Sequence, residues 1–339
     1  MKLCGHIPLF LLLAGIATLI PAERSLRNAR AAASRGGAET GWVRYVMVGL
    51  GGFRGVVSEV LWLRATTLQE EGRYFELIQL ADWITALDPR AAEAWVFNAW
   101  NLSYNVPAML PDHRSRLNWV RAGIDLLKDK AIPANPDEPR LYRELGWLYQ
   151  NKVGSDDDPA APLYRLALAR EFADRDAVIG DHAGAKLDGL IVAEIEKVFG
   201  TVDWRLAPSH AIYWAWRGLK CAPAGGFERE ALRRMVRQNG LSLVLAGRIT
   251  GEPGAGKVTA EPDLDKVNGL IAFCEETLRE DPGDAGIYSL TLARLVQIMA
   301  ATGHDADAHR LYKRFAELME MRKVEAPSFE QVLAGDIGE

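Results

Sequence analysis

The run Gly72-Arg-Tyr-Phe-Glu-Leu-Ile-Gln-Leu-Ala-Asp-Trp-Ile-Thr-Ala-Leu-Asp-Pro89 decides how this chain is read. Leu77, Ala81, Ile84 and Leu87 recur at three- and four-residue spacing, the period of one buried helix face. Gly72 permits a tight turn into the helix, small residues let a neighbour approach closely, and Asp88-Pro89 stops it. Counting back, Leu61, Ala65 and Leu68 form the seam of a preceding helix. Residues 58–91 therefore read as a helix pair.

Working outward, the same period recurs in segments from 55–70 through 305–322, with breaks such as Asn135-Pro136, Ser155–Pro159 and Asp281-Pro282-Gly283 between them. No run alternates as a strand with a hairpin turn. Trp95, Ala99 and Leu102 set large, small and large residues along one seam, and Tyr142, Leu145, Gly146 and Tyr149 repeat the arrangement. Gly303, Ala308, Tyr312 and Phe315 do so in the last helix pair. These positions resemble the tetratricopeptide-repeat superfamily. The resemblance covers 58–105, 139–175 and 284–322, with about 13 extra residues before the Asn135-Pro136 break and no consensus repeat between 176 and 283. It implies an all-α fold, a TPR-like α-α superhelix or helical-hairpin solenoid, that grips a peptide or partner protein on its concave face; it implies no catalysis.

The chain has 339 residues, 49% hydrophobic and 25% charged, with a net charge of −5. This suits one large or two ordinary domains and excludes a generally basic nucleic-acid binder or a disordered chain. Three cysteines do not make a disulfide scaffold; Cys221 and Cys274 would pair in an oxidising compartment or stay free in a reducing one. At the N-terminus, Leu3 to Ile20 carries no charge. It is a short membrane anchor or a signal segment, since spanning takes about 20 apolar residues. Arg24, Arg27, Arg30 and Arg35 follow it, whereas Met1-Lys2 begins as exported chains do, so the side of the membrane stays open. The expected organisation is an anchor or signal at 1–22, an Ala/Arg/Gly-rich linker at 23–40 and a helical repeat domain at 41–339.

Motifs that carry chemistry are few. Gly251-Glu-Pro-Gly-Ala-Gly256-Lys257 has Val258 where a P-loop needs Ser or Thr, so it reads as an inter-helix loop rather than a nucleotide site. Gly49-Leu-Gly51-Gly52-Phe-Arg54 lacks both the third glycine and the βαβ context of a dinucleotide site. No metal spacing occurs, and no cofactor is expected. His210, with Tyr213 and Trp214 one turn on and Asp203-Trp204-Arg205 upstream, reads as a packed helix start or as the site of an enzyme.

The helix around Trp95–Asn105 is the unusual one. At 100° per residue, Asn98, Asn101 and Asn105 share a narrow stripe, with Trp100 and Tyr104 pointing away from it. Asparagine is a poor helix former. Such a stripe either hydrogen-bonds an extended peptide backbone or ties neighbouring helices together. With Arg64 and Arg143 nearby in the pattern, these residues form the candidate partner-binding set: Asn98, Asn101, Asn105, Trp100, Tyr104, Arg64 and Arg143. The expected function is a non-enzymatic, membrane-attached scaffold or adaptor binding a protein or peptide, not nucleic acid. A subunit of a membrane export or transport assembly and an enzyme centred on His210 are the alternatives.

Overall fold

The computed structural model describes residues 54–182, 184–250 and 259–336. The N-terminal segment 1–22, the linker 23–40, the glycine-rich stretch before Arg54 and the Gly251–Val258 motif lie outside the described residues. The described chain is predominantly helical, with helix pairs packed in sequence order. Among the described residues no helix is long and apolar enough to cross a membrane. The chain divides into two compact units, Met1–Asn98 and Ala99–Glu339.

In the first unit, α1 (Arg54–Glu70) packs against α2 (Tyr74–Leu87). The turn between them works as the sequence requires. Gly72 takes φ +69°, a left-handed conformation open to glycine at no steric cost, and Arg73 N donates to Leu68 O at 2.9 Å. Ala65, Leu68, Leu77, Leu80, Ile84 and Ala94 form the buried core. Asp88 N returns to Ile84 O at 2.8 Å and closes α2 ahead of Pro89.

The boundary between the units falls within the next helix, Ala92–Trp100. This helix, α3, runs on through a π turn at Asn101–Asn105 into Val106–Met109. Next, α4 joins His113–Asp125, a π turn at Leu126–Ala131 and Ile132–Ala134; α5 joins Pro139–Trp147 and a π turn at Leu148–Val153. Two of these π turns run straight into Pro107 and Pro133. A proline inside a helix has no N–H for the carbonyl four residues back, and its ring clashes with that carbonyl. Widening the preceding turn to i→i+5 bonding, as in Val106 N to Asn101 O, lets the chain continue.

After α6 (Ala161–Glu171) and the single turn α7 (Arg175–Val178), Ile179–Gly180 (β1) pairs in parallel with Leu187–Asp188 (β2). Then come α8 (Gly189–Phe199), α9 (Ala207–Cys221) and α10 (Phe227–Ala246). Arg248–Thr250 (β3) pairs antiparallel with Thr259–Glu261 (β4). The chain finishes with α11 (Lys266–Glu280), α12 (Ala285–Ala301), α13 (Asp305–Met321) and α14 (Phe329–Ala334). The fold is all-α, as the sequence predicts, and the two β pairs are local links between its helices. At two or three residues each, they are too short to show an alternating pattern. The main packings are α12 on α13, α9 on α10 and α9 on α5.

Candidate functional site

The second unit brings three of the expected residues together: Trp100, Tyr104 and Arg143. Pro139 at the first turn and the Glu138 carboxylate, accepting from Arg140 N at 3.3 Å, start α5. From that start, Arg143, Trp147 and Gln150 fall on one side of the helix at four- and three-residue steps. Phe227, Ala231, Arg234 and Gln238 repeat those steps along α10. The two rows face a groove of about 190 Å³.

Arg143 is the centre. One guanidinium nitrogen donates to Glu144 Oε1 at 2.8 Å, its Nε lies 3.0 Å from Glu228 Oε2, and the group sits 5.6 Å from the centre of the Phe227 ring. Burial raises the Glu228 carboxyl above its ordinary range, against the pull of Arg143 and Arg140. Trp100 Nε1 donates to the other oxygen of Glu144 at 3.0 Å, and Tyr104 stacks on Trp100 with ring centres 4.6 Å apart. Burial pushes the Tyr104 hydroxyl up to about 12, so it stays neutral.

Behind this face lies a closed set of charges. Lys152 donates to Asp158 at 2.6 Å, Arg116 reaches the same carboxylate at 3.2 Å and Tyr164 donates to it at 3.1 Å. Lys152 also lies 4.9 Å from the Tyr104 ring centre. Burial works to raise the Asp158 carboxyl, but the bonds from Lys152, Ala160 N and Tyr164 outweigh it and hold it at about 2. In front, large apolar surface is left in water: Trp100 is 39% exposed, Trp147 40% and Phe227 74%. Aromatic side chains beside an oriented guanidinium are the chemistry of recognition surfaces.

The asparagines are placed differently. Asn98, in the first unit, is buried and donates to Asp82 Oδ1 at 3.1 Å. In the second unit Asn101 is buried and its oxygen accepts from Asn105 Nδ2 at 2.5 Å. The π turn over Asn101–Asn105 departs from the 100° step on which the stripe was drawn. Arg64 is exposed on α1 of the first unit. Trp147, Phe227 and Glu228 escaped the sequence reading. Trp147, one turn on from Arg143, was the available signal; the pairing of α5 with α10 has none in a single sequence.

His210 is fully buried. Its Nε2 lies 2.8 Å from Trp204 O, so that nitrogen carries the proton, and its ring stacks on Tyr149 at 4.8 Å with Phe172 edge-on at 4.4 Å. Burial lowers it to about 4, so the imidazole is neutral. Ser209 Oγ donates to Asp203 O, and the Asp203 carboxylate is held by Arg205. None of these bonds links a nucleophile to a base. Cys221 and Cys274 are free thiols, and burial pushes Cys274 up to about 12. Among the described residues no three His, Cys, Asp or Glu side chains are grouped to hold a metal. The chain matches no protein-family model, and no curated protein matches it.

Proposed function

We propose that this protein is a TPR-like, non-enzymatic scaffold, attached to a membrane through residues 3–20, and that it docks a partner polypeptide on the Trp100–Trp147–Phe227 face around Arg143. The observation that carries this reading is the exposure of three large aromatic side chains around a guanidinium hydrogen-bonded to Glu144 and ion-paired with Glu228. Fixing that group in advance lowers the ordering cost of binding, and Trp, Tyr and Arg are the residues that most often dominate interface energies. Membrane attachment rests on the uncharged Leu3–Ile20 run alone.

The test is a photo-crosslinking amino acid placed at Trp147 or Phe227 of the full chain in its native membranes. Discrete adducts from both positions are expected. A probe at Leu290 on α12, 55% exposed, should give none of them. Absence of adducts at 147 and 227, or identical adducts from all three positions, overturns the reading.

A further inference from the structure

A second cavity lies elsewhere in the second unit, a cleft of about 710 Å³ between α4 and α6. Its floor is aliphatic: Leu117, Val120 and Ile124 from α4, with Leu163, Ala167 and Leu168 from α6. Leu117, Leu163 and Ala167 are only half-buried, so the floor is open to an occupant. Tyr149 and Val153, from the π turn of α5, line it as well. Lys128 on its rim sits in the π turn of α4. π turns recur at functional sites, and two of the three in the described chain border this cleft.

The rim is cationic and regular. Arg114 and Arg121 stand seven residues apart on the α-helical part of α4, about 10.5 Å at the rise of a helix, and Lys128 follows seven residues on within its π turn. With Arg170 and Lys186, five cations line the cleft against two carboxylates, Asp125 and Glu171, a surplus of three. Glu171 accepts from Lys186 at 2.7 Å and lies 3.4 Å from Arg121, and Asp125 takes Lys128 at 2.8 Å. Arg114 makes no ion pair among the described residues.

We infer that this cleft holds an acidic amphipathic helix of a partner protein, its apolar side chains on the aliphatic floor and its carboxylates, seven residues apart, against Arg114, Arg121 and Lys128. A helix laid along a two-helix groove presents apolar anchors at i, i+3 or i+4 and i+7, the spacing of Leu117, Val120 and Ile124 opposite. Flanking carboxylates at heptad spacing then meet the cation row in register. A single acyl carboxylate would use one cation of the row, and an unstructured polyanion would leave the floor uncovered. Apolar burial supplies most of the binding, while the charges set orientation and exclude basic partners. The cleft shares no lining residue with the groove beside Arg143, so crosslinks from Trp147 are expected to persist if this inference fails.

The full-length protein is titrated with a labelled Leu-faced helical peptide of about 18 residues bearing Glu at heptad spacing. Its twin carries Lys at those positions, and a third peptide keeps Glu with Gln in place of Leu. Fluorescence anisotropy should show the Glu helix binding at least about tenfold more tightly than either control. Arg114→Glu removes an exposed, unpaired cation and should weaken the Glu helix severalfold while improving the Lys twin. Ala167→Trp fills the floor and should weaken both. Equal binding of Glu and Lys helices, equal binding of the Gln-faced peptide, or no binding at all overturns the inference. So does laurate displacing the peptide from the wild type while the Glu and Lys helices bind alike, which would make the cleft an acyl site.

Discussion

The α1–α2 pair of the first unit and the 101–153 stretch of the second are built from the same kind of sequence and differ in regularity. The first keeps one helical period, turns at one left-handed glycine and buries aliphatic side chains and little else. The second interrupts its period three times with π turns and buries the polar side chains of Asn101, Ser103, Glu144 and Lys152. Regular spacing is enough where burial is aliphatic, because hydrophobic contact is non-directional. Where polar groups are buried, each needs a partner at hydrogen-bond distance, which helix period alone does not supply. Both the Arg143 face and the α4–α6 cleft draw on that second kind of region.

The comparison breaks first at Asp158. Asp158→Ala leaves Lys152 buried without its carboxylate, and should cost about 3–5 kcal/mol in denaturant unfolding. Asp82→Ala in the first unit removes one hydrogen bond from Asn98 and should cost about 1 kcal/mol. Equal losses would show that the buried charges do not distinguish the two regions.

His210 comes next. Its folded pKa, about 4, lies below the ordinary 6.5, so the unfolded chain takes the proton first. The stability it lends is complete above about pH 6.5 and is lost as pH falls toward 4, a change on the order of 3 kcal/mol. His210→Phe keeps the ring packing against Tyr149 and should flatten unfolding free energy across that window. A slope unchanged by the substitution would assign the loss to other groups.

Two glycines give the smaller effects. A Cβ at Gly123 would lie 2.1 Å from Ser103 Oγ and 2.9 Å from Ala99 O, so Gly123→Ala should cost about 1–3 kcal/mol through overpacking. At Gly72 nothing lies within 4 Å, and only the φ of +69° opposes a side chain. Gly72→Ala should therefore cost about 1 kcal/mol, and Gly72→Asn less. Thermal midpoints of the three variants decide the order; a larger loss at Gly72 would reverse the contrast drawn between the regions.

Much of the helical frame was legible. The seam residues Ala65, Leu68, Leu77, Ala81 and Ile84 are buried, as are Trp95, Ala99, Leu102, Tyr142, Leu145 and Tyr149. Their three- and four-residue recurrence carries that information locally, and Gly72 and Pro89 mark the ends. The π turns were half-legible, since Pro107 and Pro133 stand inside otherwise helical runs. Their consequence, the departure of Asn105 from a 3.6-residue stripe, requires the actual turn. Three of the seven candidate binding residues gather around Glu144, 44 positions along the chain from Trp100.

By itself the sequence determined an all-helical body, the places where its helices start and stop, and the seams they bury, because helix period, glycine turns and proline stops act between residues a few positions apart. Tertiary structure alone decided which helices face each other and therefore which polar groups found partners. Trp100 meets Glu144, Arg143 meets Glu228 and Arg121 meets Glu171 only after α3, α4, α5, α6 and α10 have packed. Exposure obeys the same rule: Trp147 and Phe227 are apolar residues at helical spacing like those of the core, and they stay in water because no described helix of the second unit covers them.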